Sequence, residues 1–255
     1  MASIWATMAS IWATARPIVI FVVVLLVLIF VHEMGHFITA KATGVKVLEF
    51  GFGSPPRMVA VRWRGTEYSI NWLPLGGFVR LLGEEDPKEP ESLARKSIPV
   101  RLLVLSSGSL MNILLPVVLF VLTFMIPHQV PVGPVTIDAV APGSPAERVG
   151  LKAGDVILEL NGRLMRNTPE LIYNIHLNLG REITLLVEQD GSRRPIKAIP
   201  RWAPPPEEGP LGIRVPPMQN FTLVRESLPF WEAVPLGMRS LVETFQLFRN
   251  EITKW

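Results

Sequence analysis

The sequence predicts a helical membrane protein that carries a membrane-associated β-hairpin and an inserted small α+β domain. Of its 255 residues, 49% are hydrophobic and only 18% charged. Two apolar runs are each long enough to cross a bilayer. Between and after them the pattern changes to period-two alternation and short capped segments, the marks of strands and of a compact domain. A net charge of +3 without a dense basic tract gives no footprint for nucleic-acid phosphates, so no nucleic-acid partner is expected. The chain has no cysteine, so any metal must be held by His, Asp or Glu.

Residues 1–16 form an N-terminal extension in which MASIWAT occurs twice. It reads as a duplicated start, and no function is assigned to it. Residues 17–42 are predicted as the first transmembrane helix. No charge occurs from Ile18 to Val31, and about two dozen residues at 1.5 Å each cover a hydrocarbon core of roughly 30 Å. No small-residue cleavage site follows, so the segment reads as a retained span rather than a signal peptide.

Residues 43–100 are read as a membrane-associated hairpin or reentrant loop followed by an acidic linker. Val59, Val61 and Trp63 fall on one strand face, and Tyr68, Ile70 and Trp72 on another after the turn at RGTE. Gly76 and Gly77 then allow a sharp backbone reversal. Residues 101–127 form the second span, with Ser106, Ser107, Gly108, Ser109 and Asn112 as its small and polar face and Pro116 inside it.

Residues 131–202 read as a small β-rich domain with two helices. VTIDAV is a short strand. In SPAERVG, Ser144 is the expected N-cap, Pro145 the first helical residue and Glu147 the partner completing a capping box. DVILEL is a strand ending at the turn Asn161-Gly162. A second helix has Thr168 as its expected cap and Gly180 as its stop. Strands EITLLVEQ and RRPIKAIP flank a turn at Asp190-Gly191. Residues 203–220 are a proline-rich linker by composition. Residues 221–255 form an amphipathic helical tail that lies on a membrane or a partner.

The chemistry concentrates in His32-Glu33-Met34-Gly35-His36. Two histidines four residues apart share one helix face, the spacing that lets both imidazoles grip one Zn²⁺. Glu33 can reach a metal-activated water and act as general base, then as proton donor to the leaving amine. Gly35 leaves room for substrate or for a second helix. Ionisable groups inside a span cost roughly 2.5 to 3.5 kcal/mol each, which favours a functional reading over histidines snorkelling to an interface.

GSPAERVGLKAGDVILELNG resembles the core of PDZ domains of bacterial membrane proteases. Such domains add an extended peptide to a sheet edge; the alternative is a domain that spaces or shields the membrane part. With HExxH in the first span, GFGSP, LPLGGFVRLLGE, SSGSLMN opening the second span and the PDZ-like insert, the chain resembles the site-2 protease family of intramembrane zinc metalloproteases.

The resemblance implies His32 and His36 as zinc ligands and Glu33 as the catalytic residue. It implies a bacterial inner-membrane, multi-pass location and single-span membrane proteins as substrates, such as an anti-sigma factor or a signal-peptide remnant. The LPLGGF region resembles the family's reentrant β-loop, which makes Gly76 and Gly77 candidates for handling substrate. Asn112 falls on the family's Gly-x-x-x-Asn pattern, either in the same role or as a helix-packing hydrogen bond, with Ser109 where the family usually has proline.

The family's third zinc ligand is an aspartate in a later span. Here the only aspartates are Asp86, Asp138, Asp155 and Asp190, all in linker or PDZ-like segments, so the chain is expected to stop before the family's last spans. Ten Lys and Arg residues lie from Lys41 to Arg101, against Arg16 alone before the first span. That bias predicts a cytoplasmic loop 43–100 and a PDZ-like domain on the outer side. Two alternatives to the peptidase stay open: a catalytically incomplete fragment or membrane adaptor that binds peptides through its PDZ-like domain, and an interfacial scaffold or proton pathway.

Overall fold

The computed structural model describes residues 2–216 and 220–254. The end of the proline-rich stretch, residues 217–219, and Trp255 of the tail lie outside the described residues. The chain divides into two compact units, Met1–Pro116 and Val117–Trp255.

The first unit opens with helix α1 (Ala2–Ala42), which runs without a break through Pro17. The extension and the expected span are therefore one helix, not two segments. A proline costs its helix one backbone hydrogen bond, which a long apolar helix tolerates. Strands β1 (Val47–Trp63) and β2 (Thr66–Leu81) follow, then helix α2 (Ile98–Met125) with Pro116 inside it. Segments Ile11–Ala42 and Ile98–Met125 are long and apolar enough to cross a membrane.

The expected hairpin is only part of a larger sheet. Residues 57–63 pair with 66–71, as the alternation indicated. Residues 49–52 pair with 67–70 on one side and with 77–80 on the other, so both long strands fold back on themselves. The cause lies partly in Glu49, a buried carboxylate bonded to Arg57 at 2.6 Å, to Arg80 at 3.2 Å and to the Ser69 hydroxyl at 2.8 Å. These three partners come from three different segments of the sheet, so one side chain pins its layering. Lys41 at the end of α1 donates to the Thr66 hydroxyl at 2.7 Å, tying helix to sheet. A small core of Ala40, Val45, Val47, Leu81, Leu93 and Val104 closes this end of the unit.

The second unit begins after α2 with β3 (His128–Val132). VTIDAV is divided into β4 (Val135–Thr136) and β5 (Ala139–Val140), which enter different sheets. Buried Ile137 and the hydrogen bond from Asp138 N to Arg214 O turn the chain between them. Helix α3 (Pro145–Arg148) has Ser144 as its cap. The Glu147 carboxylate accepts from Gly143 N at 2.6 Å, one residue earlier than a standard capping box.

Strands β6 (Val156–Leu160) and β7 (Arg163–Leu164) lead to helix α4 (Thr168–Leu177). Its cap is Asn167 and not Thr168: the Asn167 side chain accepts from Glu170 N at 2.9 Å and donates to Pro131 O at 3.1 Å. Thr168 Oγ1 is buried without a hydrogen-bond partner among the described residues. Strands β8 (Ile183–Gln189) and β9 (Ser192–Ala198) complete a sheet ordered β4-β6-β8-β9, with β7 on β6. Ile183, Leu185 and Val187 of β8 point into a core shared with Val135, Ile157, Leu171 and Ile175.

Two segments differ from expectation. The proline-rich stretch contains β10 (Ile213–Arg214), paired with β5, because Leu211 is a buried member of the same core and Ile213 and Val215 pack against it. The tail begins with β11 (Thr222–Glu226), paired with β3, before helix α5 (Phe230–Thr253). The β-favouring residues Phe221, Thr222 and Val224 read as strand once β3 offers an edge. Within this unit α5 meets the last turns of α2, where Gly237 lies against Val117 and Val121. It also meets α4, whose terminal carbonyls accept from Asn250 and Gln246 at 2.8 and 2.7 Å.

Candidate metal centre

The site lies wholly in the first unit, where α1 and α2 cross antiparallel. Gly35 makes the crossing possible: a Cβ there would lie 2.5 Å from the Ser107 carbonyl oxygen and 2.7 Å from Met111 Cγ. Of the two uses the sequence left open for Gly35, the close neighbour here is the second helix. The Thr39 and Ser107 hydroxyls meet across the crossing at 2.8 Å.

One turn apart on α1, His32 and His36 turn their Nε2 atoms towards each other, 3.2 Å apart, with the rings at 71°. Two nitrogens bound to one tetrahedral zinc at about 2.0–2.1 Å would stand about 3.3–3.4 Å apart, so the pair matches two ligands of a single ion. His36 Nδ1 lies 2.7 Å from the Val104 carbonyl. A carbonyl can only accept, so Nδ1 carries the proton and Nε2 keeps its lone pair for a metal.

Gly108 of α2 faces both imidazoles, and a Cβ there would overlap the Nε2 atoms of both rings. The absent side chain therefore leaves open the space beside both Nε2 atoms. Asn112, one turn further along α2, brings its Nδ2 to 3.5 Å from His32 Nδ1. Its Oδ1 is buried without a hydrogen-bond partner among the described residues.

Glu33 stands beside the pair, and its carboxylate makes no hydrogen bond or ion pair among the described residues, which leaves it free to take a proton. Gly77 of β2 packs against it: a Cβ at 77 would come to 2.9 Å from Glu33 Cγ and 3.2 Å from Ile29 Cγ2. Gly76 adopts φ +90, a conformation that favours glycine, and near it Ser54 Oγ donates to Leu75 O at 2.6 Å.

The structure thus brings His32, Glu33, His36, Gly77 and Asn112 into one place, with Gly76 adjoining. Sequence reasoning missed the Val104 carbonyl and the role of Gly108. Their signal was present in the spacing of 104, 108 and 112, which puts all three on one stripe of α2.

Among the described residues no group of three or more His, Cys, Asp or Glu side chains converges to hold a metal. Asp86 accepts from Lys88 N at 3.1 Å, while in the second unit Asp138 pairs with Arg214 at 2.7 Å and Asp155 accepts from Lys152 N at 2.9 Å. The donor set found here is two imidazoles with a free carboxylate beside them. It fits a zinc ion as two of its ligands and a neighbouring base.

Two helices long and apolar enough to cross a membrane thus meet at a pair of imidazoles. The chain belongs to peptidase family M50, whose model matches residues 20–253. It is 34% identical over 187 residues to a protein of Clostridium acetobutylicum, covering 73% of this chain and 54% of that one. It is 36% identical over 194 residues to a protein of Thermotoga maritima, covering 73% and 38%. Both carry the name "Putative zinc metalloprotease". The chain spans about half the length of the curated relatives it matches. It is also similar to the crystal structure of the PDZ domain of an SdrC-like protein from Listeria innocua, at 21% identity over 32% of this chain and 93% of that one, with a TM-score of 0.29.

Proposed function

We propose that the chain carries metal-binding and proton-transfer residues of an intramembrane zinc endopeptidase that cuts single-span membrane proteins. The carrying observation is the convergence of His32 and His36 Nε2 on the space opposite Gly108, with the free carboxylate of Glu33 adjoining. His32 and His36 would hold the zinc, which when bound supplies Lewis acidity towards a water and towards the scissile carbonyl. Glu33 would take a proton from the attacking water and return it to the leaving amine. An aspartate from a later span, implied by the family resemblance, would complete the ligand set.

Substrate would meet Glu33 as an added strand. Among the described residues 77–80 pair with 49–52 alone, which leaves their other side as an edge, and Gly77 puts no side chain between that edge and Glu33. An unwound segment of a membrane helix paired along the edge would have its backbone groups satisfied while a peptide bond faced the base.

The Lys/Arg bias supports a cytoplasmic loop 43–100 and a PDZ-like domain on the outer side of a bacterial inner membrane. Residues 131–202 are read as PDZ-like, a peptide-capturing module that gates access. A cavity of about 290 Å³ between α4 and β10, lined by Leu171, Ile175, His176, Leu211 and Ile213, supports that reading. The test is zinc-dependent cutting of single-span substrates in proteoliposomes. Glu33→Gln is expected to reduce cutting by about 10²- to 10⁴-fold with zinc content unchanged; a Glu33→Gln protein that cuts at the normal rate overturns the proposal.

A further inference from the structure

We propose that the cavity between α1 and the folded sheet holds an acyl chain of an anionic phospholipid, whose phosphate is seated on Arg62 and Arg64 at the hairpin tip. This rests on reading α1 as a membrane span.

The cavity measures about 660 Å³, within the range of about 300–1,000 Å³ usual for ligand pockets. Val23, Val27 and Phe30 of α1 form one wall, and Phe52, Val61 and Ile70 of the sheet form the other. The helix wall lies inside the segment that is long and apolar enough to cross a membrane. Water in such a space would find few polar partners, so hydrocarbon is the filling that suits it. The sheet turns its face to the cavity: residues 59–61 pair with 68–70, and 50 and 52 pair with 68 and 70. An extended peptide has no edge to pair with there, unlike at residues 77–80, whereas a flexible apolar chain needs no hydrogen bonds.

The hairpin tip selects the charge of the occupant. Tyr68 lines the cavity, and its ring lies 6.4 Å from that of Trp63 at the tip. Arg64 sits over the Trp63 ring at 4.7 Å and makes no ion pair among the described residues. Arg62 is 77% exposed and stands 3.6 Å from Glu67, a carboxylate that also pairs with Arg57. Lys41, at the end of α1, reaches Thr66 beside the same turn. Cations and a tryptophan at the end of a span make a headgroup-level anchor, and anionic lipids are concentrated in the cytoplasmic leaflet that this loop is expected to face.

Arg64 also holds its place against local preference. Its φ of +47, followed by Gly65 at φ +80, builds a two-residue hairpin turn in which Asn-Gly is the favoured pair. An arginine kept in the left-handed region fits a side chain retained for what it binds.

The test is native mass spectrometry of the full chain in detergent, with phosphatidylglycerol and phosphatidylcholine of identical acyl chains added at equal concentration. The parent is expected to retain one phosphatidylglycerol in preference to phosphatidylcholine. Arg64→Asn suits the turn better, so its thermal midpoint should hold or rise while phosphatidylglycerol binding weakens about five-fold and phosphatidylcholine binding stays as it was. Val27→Trp fills the cavity from the helix side and should weaken both lipids.

Equal retention of the two lipids by the parent, a preference unchanged in Arg64→Asn, or lipid binding unchanged in Val27→Trp overturns the proposal. So does displacement of the lipid by an equal concentration of a capped single-span leucine–alanine peptide, which would make the space a helix site. Alkaline washing of vesicles that carry the chain separates the two readings. A chain that stays in the bilayer without a lipid preference refutes the lipid site alone, and a chain that is released refutes the span and the site with it.

Discussion

Gly77 of β2 and Glu33 of α1 are in direct contact, and the contact exists because residue 77 has no side chain: a Cβ there would lie 2.9 Å from Glu33 Cγ. The backbone of an edge strand and the free carboxylate of the candidate base are thereby held side by side. Gly77→Ala must push Glu33 aside, and a displacement of about 1 Å in a reacting group can cost about 10²-fold in rate. The expected outcome is cutting reduced by about 10- to 100-fold with zinc affinity unchanged, measured on the same proteoliposome sample. Equal activity in parent and variant would show that the contact does not set the position of Glu33.

The helix crossing makes a separate prediction. In Gly35→Ala the new methyl meets the Ser107 carbonyl at 2.5 Å and Met111 Cγ at 2.7 Å, and backbone atoms cannot move aside as a flexible side chain can. Overpacking of this kind costs about 1–3 kcal/mol. The thermal midpoint in detergent should fall. Zinc affinity should fall with it, because separating α1 from α2 also breaks the bond from His36 to Val104 O. A stable variant with intact zinc binding would contradict the crossing described here.

In the second unit the docking of α5 on α4 depends on Asn250, which is 1% exposed and donates to the carbonyls of His176 and Leu177. These are end-of-helix acceptors with no partner inside α4. Asn250→Ala removes the donor to His176 O, while Leu177 O keeps its bond from Gln246, a loss of about 1–3 kcal/mol. Hydrogen exchange of the last turn of α4 should accelerate accordingly, while exchange in α1 stays as in the parent.

His176 gives the same contact a pH dependence. Burial, with Lys254 adding to it and Glu251 opposing, holds its imidazole below the usual value. The unfolded chain therefore takes up the proton first as the solution is acidified. This group costs nothing well above about pH 6.5; stability falls from there down to the folded pKa and then levels. Urea midpoints of the full chain should decline more between about pH 7.5 and about pH 5 than those of His176→Gln. Parallel declines would remove His176 from the account.

Much of this was legible in the sequence for physical reasons. The two apolar runs announced themselves by length, and His32 and His36 by their spacing on one helix face. The strands around Val61 and Tyr68 showed in their alternation, and Ser144-Pro145 marked a helix start. Other features depend on tertiary partners. Residues 49–52 become a central strand only because Glu49 finds two arginines and a serine, and the Ile213–Arg214 strand sits in a proline-rich stretch that composition alone reads as linker. Asn167 takes the cap from Thr168 because Pro131 O waits on its other side. The second wall of the candidate site was hidden differently. Gly108 contributes by having no side chain and Val104 through its backbone, so only their spacing with Asn112 along α2 marks them in the sequence.

The central claim is that His32 and His36 share one metal ion in the space that Gly108 leaves open. Its most direct test is a zinc-binding isotherm of the chain in detergent micelles, beside the double variant His32→Ala/His36→Ala and Gly108→Val, with helix content checked by circular dichroism. The account predicts one zinc per parent chain and loss of that site in both variants while the helices persist. Zinc uptake of equal strength in all three proteins would contradict it.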